Sequence, residues 1–206
     1  MNHTYIKFPL HVIVHPFDGF WDMKYEGQGK LRVAGAIIGL LVLVMIMQRQ
    51  YAGFLVNFYD PQTMNSIYEL RSIMLPFGLW CVGNWAITTL MDGEGRFREI
   101  VMATAYALVP IVLTFVPATV LSNFMTQEET AFYWLLLAIG LLWSLFLLFV
   151  GTMTIHQYSA GKTVLTMGLT VVAMLIAVFL GMLVYSLIIQ IYDFMYNLYN
   201  EFIFRI

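Results

Sequence analysis

The chain has 206 residues, of which 61% are hydrophobic and only 11% charged, against about 25% charged and about 45–50% apolar in a soluble domain. So few polar side chains cannot cover a water-facing surface, so most of the surface is expected to meet lipid. The net charge of −2, with no basic stripe, argues against nucleic acid as a partner, and the lone Cys81 excludes an intramolecular disulfide and a cysteine-based zinc site.

Residues 1–30 mix charges, prolines and aromatics and hold no apolar core before a small-residue cleavage site, so they do not read as a cleaved signal peptide. The first apolar run is instead expected to be an uncleaved signal-anchor. Within this segment the stretch His15-Pro16-Phe17-Asp18-Gly19-Phe20-Trp21-Asp22 predicts a short helix with Pro16 at its first position. Phe17, Phe20 and Trp21 would share one face, and Asp18, Asp22 and Glu26 another. That pattern predicts a helix lying along the membrane interface, with the acidic face as an alternative partner surface.

Residues 31–206 predict an all-α integral membrane domain, a bundle of five transmembrane helices. Apolar runs over about 31–47, 72–91, 100–121, 131–151 and 163–190 are each long enough for about 30 Å of hydrocarbon. The last exceeds that length and should tilt or project. Lys7, Lys24, Lys30, Arg32, Arg96, Arg98 and Lys162 fall on one side of these spans, and Arg49, Arg71 and Arg205 on the other. Seven against three predicts a cytoplasmic N-terminus and an outside C-terminus.

The first loop carries a turn signal at Asp60-Pro61 and a candidate capping box, Ser66 with Glu69, that would start the second membrane helix early. Inside the spans no Asp, Glu, Lys, Arg or His is expected, which disfavours ion-coupled transport, proton pumping and voltage sensing. The remaining polar groups, Asn84, Thr88, Thr89, Ser144, Thr166 and Thr170, are types that hydrogen-bond between helices. Asn84 and Thr88, one turn apart, are also the residues a small-solute path would use.

The second loop, Asp92-Gly93-Glu94-Gly95-Arg96-Phe97-Arg98-Glu99, packs five charges into eight residues. Its glycines are expected to supply the left-handed conformations of a tight hairpin. It lacks the strand and the Lys-Ser/Thr of a phosphate loop. A metal site on Asp92, Glu94 and His156 would need a spacing that matches no metal motif. In the third span Pro110 and Pro117 lie seven residues apart and predict a kink. His156 opens the fourth loop at a membrane boundary, with no serine elbow or zinc helix nearby to complete a catalytic set. In the last span Ala173, Ala177 and Gly181 form a small-residue strip for close helix approach, either within the bundle or between copies in a homo-oligomer.

Gly93-x-Gly95-x-Phe97 followed by Tyr106-Ala107-Leu108-x-Pro110 resembles the signature of the Yip (Ypt-interacting protein, Yip-one domain) family. His156-x-x-Ser159-x-x-Lys162 is similar to that family's next cytoplasmic segment, and His15-Pro16 with Phe20-Trp21 to the stretch before its first span in bacterial members. The resemblance runs from about His15 to Gln190. It implies five transmembrane helices, a cytoplasmic N-terminus and a non-enzymatic role without cofactors. Eukaryotic relatives act in vesicle traffic with small GTPases, and the Asp-Leu-Tyr-Gly-Pro segment of those relatives, which this chain lacks, speaks against GTPase binding here. The expectation is therefore a multi-pass protein of the bacterial cytoplasmic membrane, a scaffold or accessory subunit of a transport, trafficking or membrane-stress system. Its partners would be lipid and other membrane proteins such as transporter subunits. The docking face would comprise His15, Pro16, Trp21, Asp92, Gly93, Glu94, Gly95, Arg98, His156 and Lys162. Asn84, Thr88, Tyr106, Pro110, Ala173, Ala177 and Gly181 would organise the bundle. The alternatives are a small-solute permease or channel, and a membrane-embedded metalloenzyme using His156, Asp92 and Glu94.

Overall fold

The computed structural model describes residues 3–58 and 65–204. The Asp60-Pro61 turn and Arg205 lie outside these. Helices α1 (His3–Val14) and α2 (Pro16–Tyr25) form a hairpin that packs on one end of a bundle. The bundle consists of α3 (Leu31–Tyr51), α4 (Ser66–Leu90), α5 (Phe97–Ala107), α6 (Val109–Leu121), α7 (Thr130–His156) and α8 (Ala160–Phe204). Among the described residues, five helical stretches are long and apolar enough to cross a membrane, with α5 and α6 counting as one.

The third span breaks at Leu108. Pro110 has no N–H for the Tyr106 carbonyl, so the chain tightens there, with Leu108 N bonding Ala105 O and Ile111 N bonding Leu108 O. The Thr114 hydroxyl donates to the freed turn at Pro110 O (3.0 Å). Gly140 of α7 faces Thr114 so closely that a side chain there would collide, which brings α6 and α7 together.

Two apolar clusters fill the bundle. One, at the hairpin end, joins Phe8, Val12, Phe20 and Met23 to Ile37, Tyr106, Leu147 and Ile155. The other, at the far end, joins Leu41, Val44, Val112, Phe115, Tyr133 and Leu137.

Several sequence expectations need correction. The N-terminal segment holds two helices rather than one, and Phe20 does not face lipid beside Phe17 and Trp21. It is fully buried, its ring against Gly151, because Gly19 lets α2 close on the Val12 backbone and turns Phe20 inward. The second span starts at Ser66, six residues ahead of the apolar run and as early as the Ser66 signal suggested, but its cap is Asn65, whose side chain accepts from Ile67 N (2.9 Å). Capping one residue earlier moves Glu69 out of the capping-box position. Glu69 instead turns into the bundle and pairs with Arg49 at 3.0 Å.

The hydroxyls do not link helices as expected. Thr88 donates to Asn84 O, Thr89 to Trp85 O, Thr166 to Lys162 O and Thr170 to Thr166 O, each within its own helix. This back-bonding one turn up is the nearest acceptor a buried helical hydroxyl has. The one cross-helix contact in the set is weak, Thr166 Oγ1 to Met91 Sδ at 3.5 Å. Thr163, Thr166 and Thr170 nevertheless form the buried face that α8 lays against α4, where Gly83 meets the Thr170 backbone.

In the Ala173, Ala177 and Gly181 strip, Ala173 is partly buried while Ala177 and Gly181 are exposed, with nothing within 4 Å of a side chain placed at Gly181. Beyond Met174 almost every α8 side chain is exposed. This helix of 45 residues spans about 67 Å, more than twice the hydrocarbon thickness.

Candidate docking face

At the hairpin end, α2, the loop between α4 and α5, and the turn between α7 and α8 meet around His156. Its imidazole is 2% exposed, and its Nδ1 accepts from Gly95 N at 3.2 Å. The ring stacks on Tyr158 with centroids 5.4 Å apart. Tyr158 donates to the carbonyls that end α4, Met91 O at 3.0 Å and Thr88 O at 3.3 Å. Burial, and next the Asp92 carboxylate, push the Tyr158 phenol up, so it stays a neutral donor.

The two glycines of Gly93-x-Gly95 are required by space, not by backbone angle, which corrects the sequence expectation. A Cβ at Gly93 would lie 2.5 Å from His156 Nδ1 and 2.6 Å from the Tyr158 hydroxyl. One at Gly95 would lie 2.5 Å from Ile155 Cγ2 and 2.6 Å from His156 Cε1. The left-handed residues of the two turns are Asp92 (φ 54°) and Gln157 (φ 56°). A short polar side chain makes that region accessible to Asp.

Lys24 joins α2 to this pair of loops. Its Nζ donates to Ile155 O at 2.6 Å, at the unsatisfied C-terminus of α7, and pairs with Glu94 at 3.1 Å. Its side chain is 9% exposed against 61% for Glu94, so the carbonyl bond is the buried half of the contact. Ser159 accepts from Thr163 N through its backbone carbonyl (2.9 Å) at the start of α8, and Lys162 Nζ sits 4.3 Å over the Tyr158 ring. The spacing His156-x-x-Ser159-x-x-Lys162 thus places a buried ring, a helix start and a cation on one turn.

Gly93, Gly95 and His156 are in direct contact, with Glu94 joined through Lys24 and Lys162 through Tyr158. Pro16 starts α2, and His15 stacks on His11 (5.2 Å). Trp21 stacks on Tyr25 (4.2 Å) and stays half exposed, and Asp92 and Arg98 are exposed. A notch of about 320 Å³ separates α2 from the end of α7, walled by Phe17, Asp18 and Trp21 on one side and Gln157 and Tyr158 on the other.

Asp92, Glu94 and His156 do not converge as metal ligands: Nδ1 is taken by Gly95 N–H and Glu94 turns to Lys24. Among the described residues no three His, Cys, Asp or Glu side chains gather as a metal set. Asn84 and Thr88 are each 1% exposed, so they face packed helices and not an open passage. Tyr106 is buried against Phe8, ring edge to face at 5.7 Å.

Lys24, Ile155 and Tyr158 were not singled out by the sequence. Lys24 counted only as a charge, and nothing in the spacing of Tyr158 announces its bonds to a different loop. Among known proteins, the family model described as the Yip1 domain matches residues 10–193, from α1 into α8. No curated protein and no solved structure matches the chain.

Proposed function

Because the chain belongs to the Yip1 domain family of membrane proteins, we propose that it acts as a non-catalytic scaffold or accessory subunit that docks other membrane proteins on its hairpin-end face. The observation that carries this reading is the junction of three segments, distant in sequence, through Lys24, Gly95 and His156. A surface held this way is pre-organised, which lowers the ordering cost of binding. The exposed ring of Trp21, beside the notch and near the free charges of Asp18, offers an aromatic anchor of the type enriched in protein interfaces.

In this reading the docking face is cytoplasmic, as the seven-to-three distribution of Lys and Arg favours. The membrane is the bacterial cytoplasmic membrane, and the partners are subunits of a transport, trafficking or stress system. The test is crosslink-stabilised affinity purification from native membranes, comparing the natural chain with Trp21→Ala and with Asp92→Arg combined with Arg98→Glu. None of these three side chains is buried, so insertion should persist. The expected result is a stoichiometric membrane-protein partner lost from both variants. Equal recovery of the same partner by all three proteins would refute the docking face.

A further inference from the structure

On the flank of the bundle, α1, α3 and α6 leave a groove of about 490 Å³. Arg32, Ala36 and Leu40 succeed one another at four-residue steps down α3, so they lie on one helix face, with Leu10 of α1 and Leu113 of α6 as opposing walls. Arg32 is the one charged residue of the lining and sits at the hairpin end, and everything below it is apolar. Leu10, Leu40 and Leu113 are about half exposed, so the groove opens sideways to the bilayer.

Arg32 makes no ion pair or hydrogen bond with another described residue. It lies in the first turn of α3, which has no acidic residue and no side-chain cap, so the helix end adds its own positive potential there. An unpaired guanidinium above an apolar channel is complementary to an amphiphile with an anionic head.

From Arg32 to Leu40 the groove descends about 12 Å, close to the hydrocarbon depth of one leaflet. Its single cation above apolar walls matches an anionic head group with a hydrocarbon chain below it.

We propose that this groove is a binding site for one anionic glycerophospholipid, its phosphate on Arg32 and one acyl chain along Ala36 and Leu40 against Leu113. The lipid enters sideways from the leaflet at the hairpin end and reinforces the contact of α1 with α3 and α6.

The test is native mass spectrometry of the full chain, delipidated in detergent and titrated with dioleoyl phosphatidylglycerol or dioleoyl phosphatidylcholine, which share their acyl chains. One phosphatidylglycerol per chain should be retained in preference to phosphatidylcholine. Arg32→Glu should weaken its retention by about tenfold or more, from about 1 kcal/mol per basic group at an anionic surface and a swing of two charges. Ala36→Phe, at an exposed position, should block the chain and remove retention while leaving the lipid-free melting temperature unchanged. Equal retention of the two lipids, or of phosphatidylglycerol by Arg32→Glu, would overturn the site. So would competition by glycerol phosphate as strong as by the intact lipid, which would mark a bare anion site, or a dimer in place of the lipid adduct.

Discussion

Gly95→Ala adds one methyl group at the point where the second loop touches the end of α7. Its carbon would lie 2.5 Å from Ile155 Cγ2 and 2.6 Å from His156 Cε1, about 1 Å inside the favourable separation of non-bonded carbons. Ile155 and His156 are 1% and 2% exposed and close an α-helix, so neither can swing into open space. The loop must retreat, at an overpacking cost of about 1–3 kcal/mol. Retreat also lengthens the Gly95 N–H bond to Nδ1, now 3.2 Å, for about 1 kcal/mol more. For a chain of this size about 2–4 °C accompany each kcal/mol, so thermal unfolding in detergent should fall by about 5–15 °C. Gly168→Ala is the control, since nothing lies within 4 Å of a side chain there, and a mid-helix alanine should leave the temperature unchanged or raise it slightly. A double-mutant cycle isolates the contact: in a His156→Ala background much of the collision is gone, so the pair should cost less than the sum of the singles by about 1 kcal/mol or more. A Gly95→Ala protein melting with the natural one, or an additive cycle, would refute the steric account of this glycine.

Lys24→Met should lower the melting temperature several-fold more than Glu94→Gln, because it strands the buried Ile155 carbonyl at about 1–3 kcal/mol while the Glu94 contact is surface-exposed and worth under about 1 kcal/mol. At the far end Arg49→Met should cost about 3–5 kcal/mol and Glu69→Gln distinctly less. The carboxylate is 3% exposed and would be left buried and unpaired, whereas the guanidinium is 30% exposed and water can reach it. Chemical denaturation in mixed micelles would show the order, and equal losses would contradict it. Phe20→Ala should cost about 3–5 kcal/mol and free α2 for proteolysis, with Phe17→Ala near neutral; equal protease sensitivity of the two would place α2 off the bundle.

Span count was legible in the sequence because lipid disfavours charge, and each long apolar run marks a helix. The same rule ended the second apolar run short of Glu69 and Arg71, and only the Ser66 signal pointed to the earlier start of α4. A charge is tolerated there because Arg49, twenty residues earlier in the chain, meets Glu69 through tertiary packing that no local pattern encodes. Helix α1, with Lys7, His11 and Pro9 in its short length, is held by Phe8 and Val12 against the bundle, so its order comes from burial and not from propensity. The chemistry of Gly93-x-Gly95 and His156 was visible as a pattern. That the glycines exist to admit the histidine was not, because sixty residues separate them and either side alone explains neither.

In the middle of the bundle the hydroxyls of Thr104, Thr114 and Thr170 bond back to their own helices, so the mutual position of the helices there rests mainly on apolar packing. Apolar packing in lipid is forgiving, since the displaced side chain finds an equally apolar neighbour. Directional contacts between segments are placed at the two ends: Lys24 to Ile155, Gly95 to His156 and Tyr158 to Met91 at one, and Arg49 to Glu69, Gln48 to Tyr133 and Gly53 to Ser122 at the other. Register and tilt of the helices are thus fixed at the membrane surfaces. A partner that bound the hairpin-end face would grip the elements that set helix positions there, so docking would be coupled to bundle geometry through Lys24, Gly95 and His156 rather than through the span interiors.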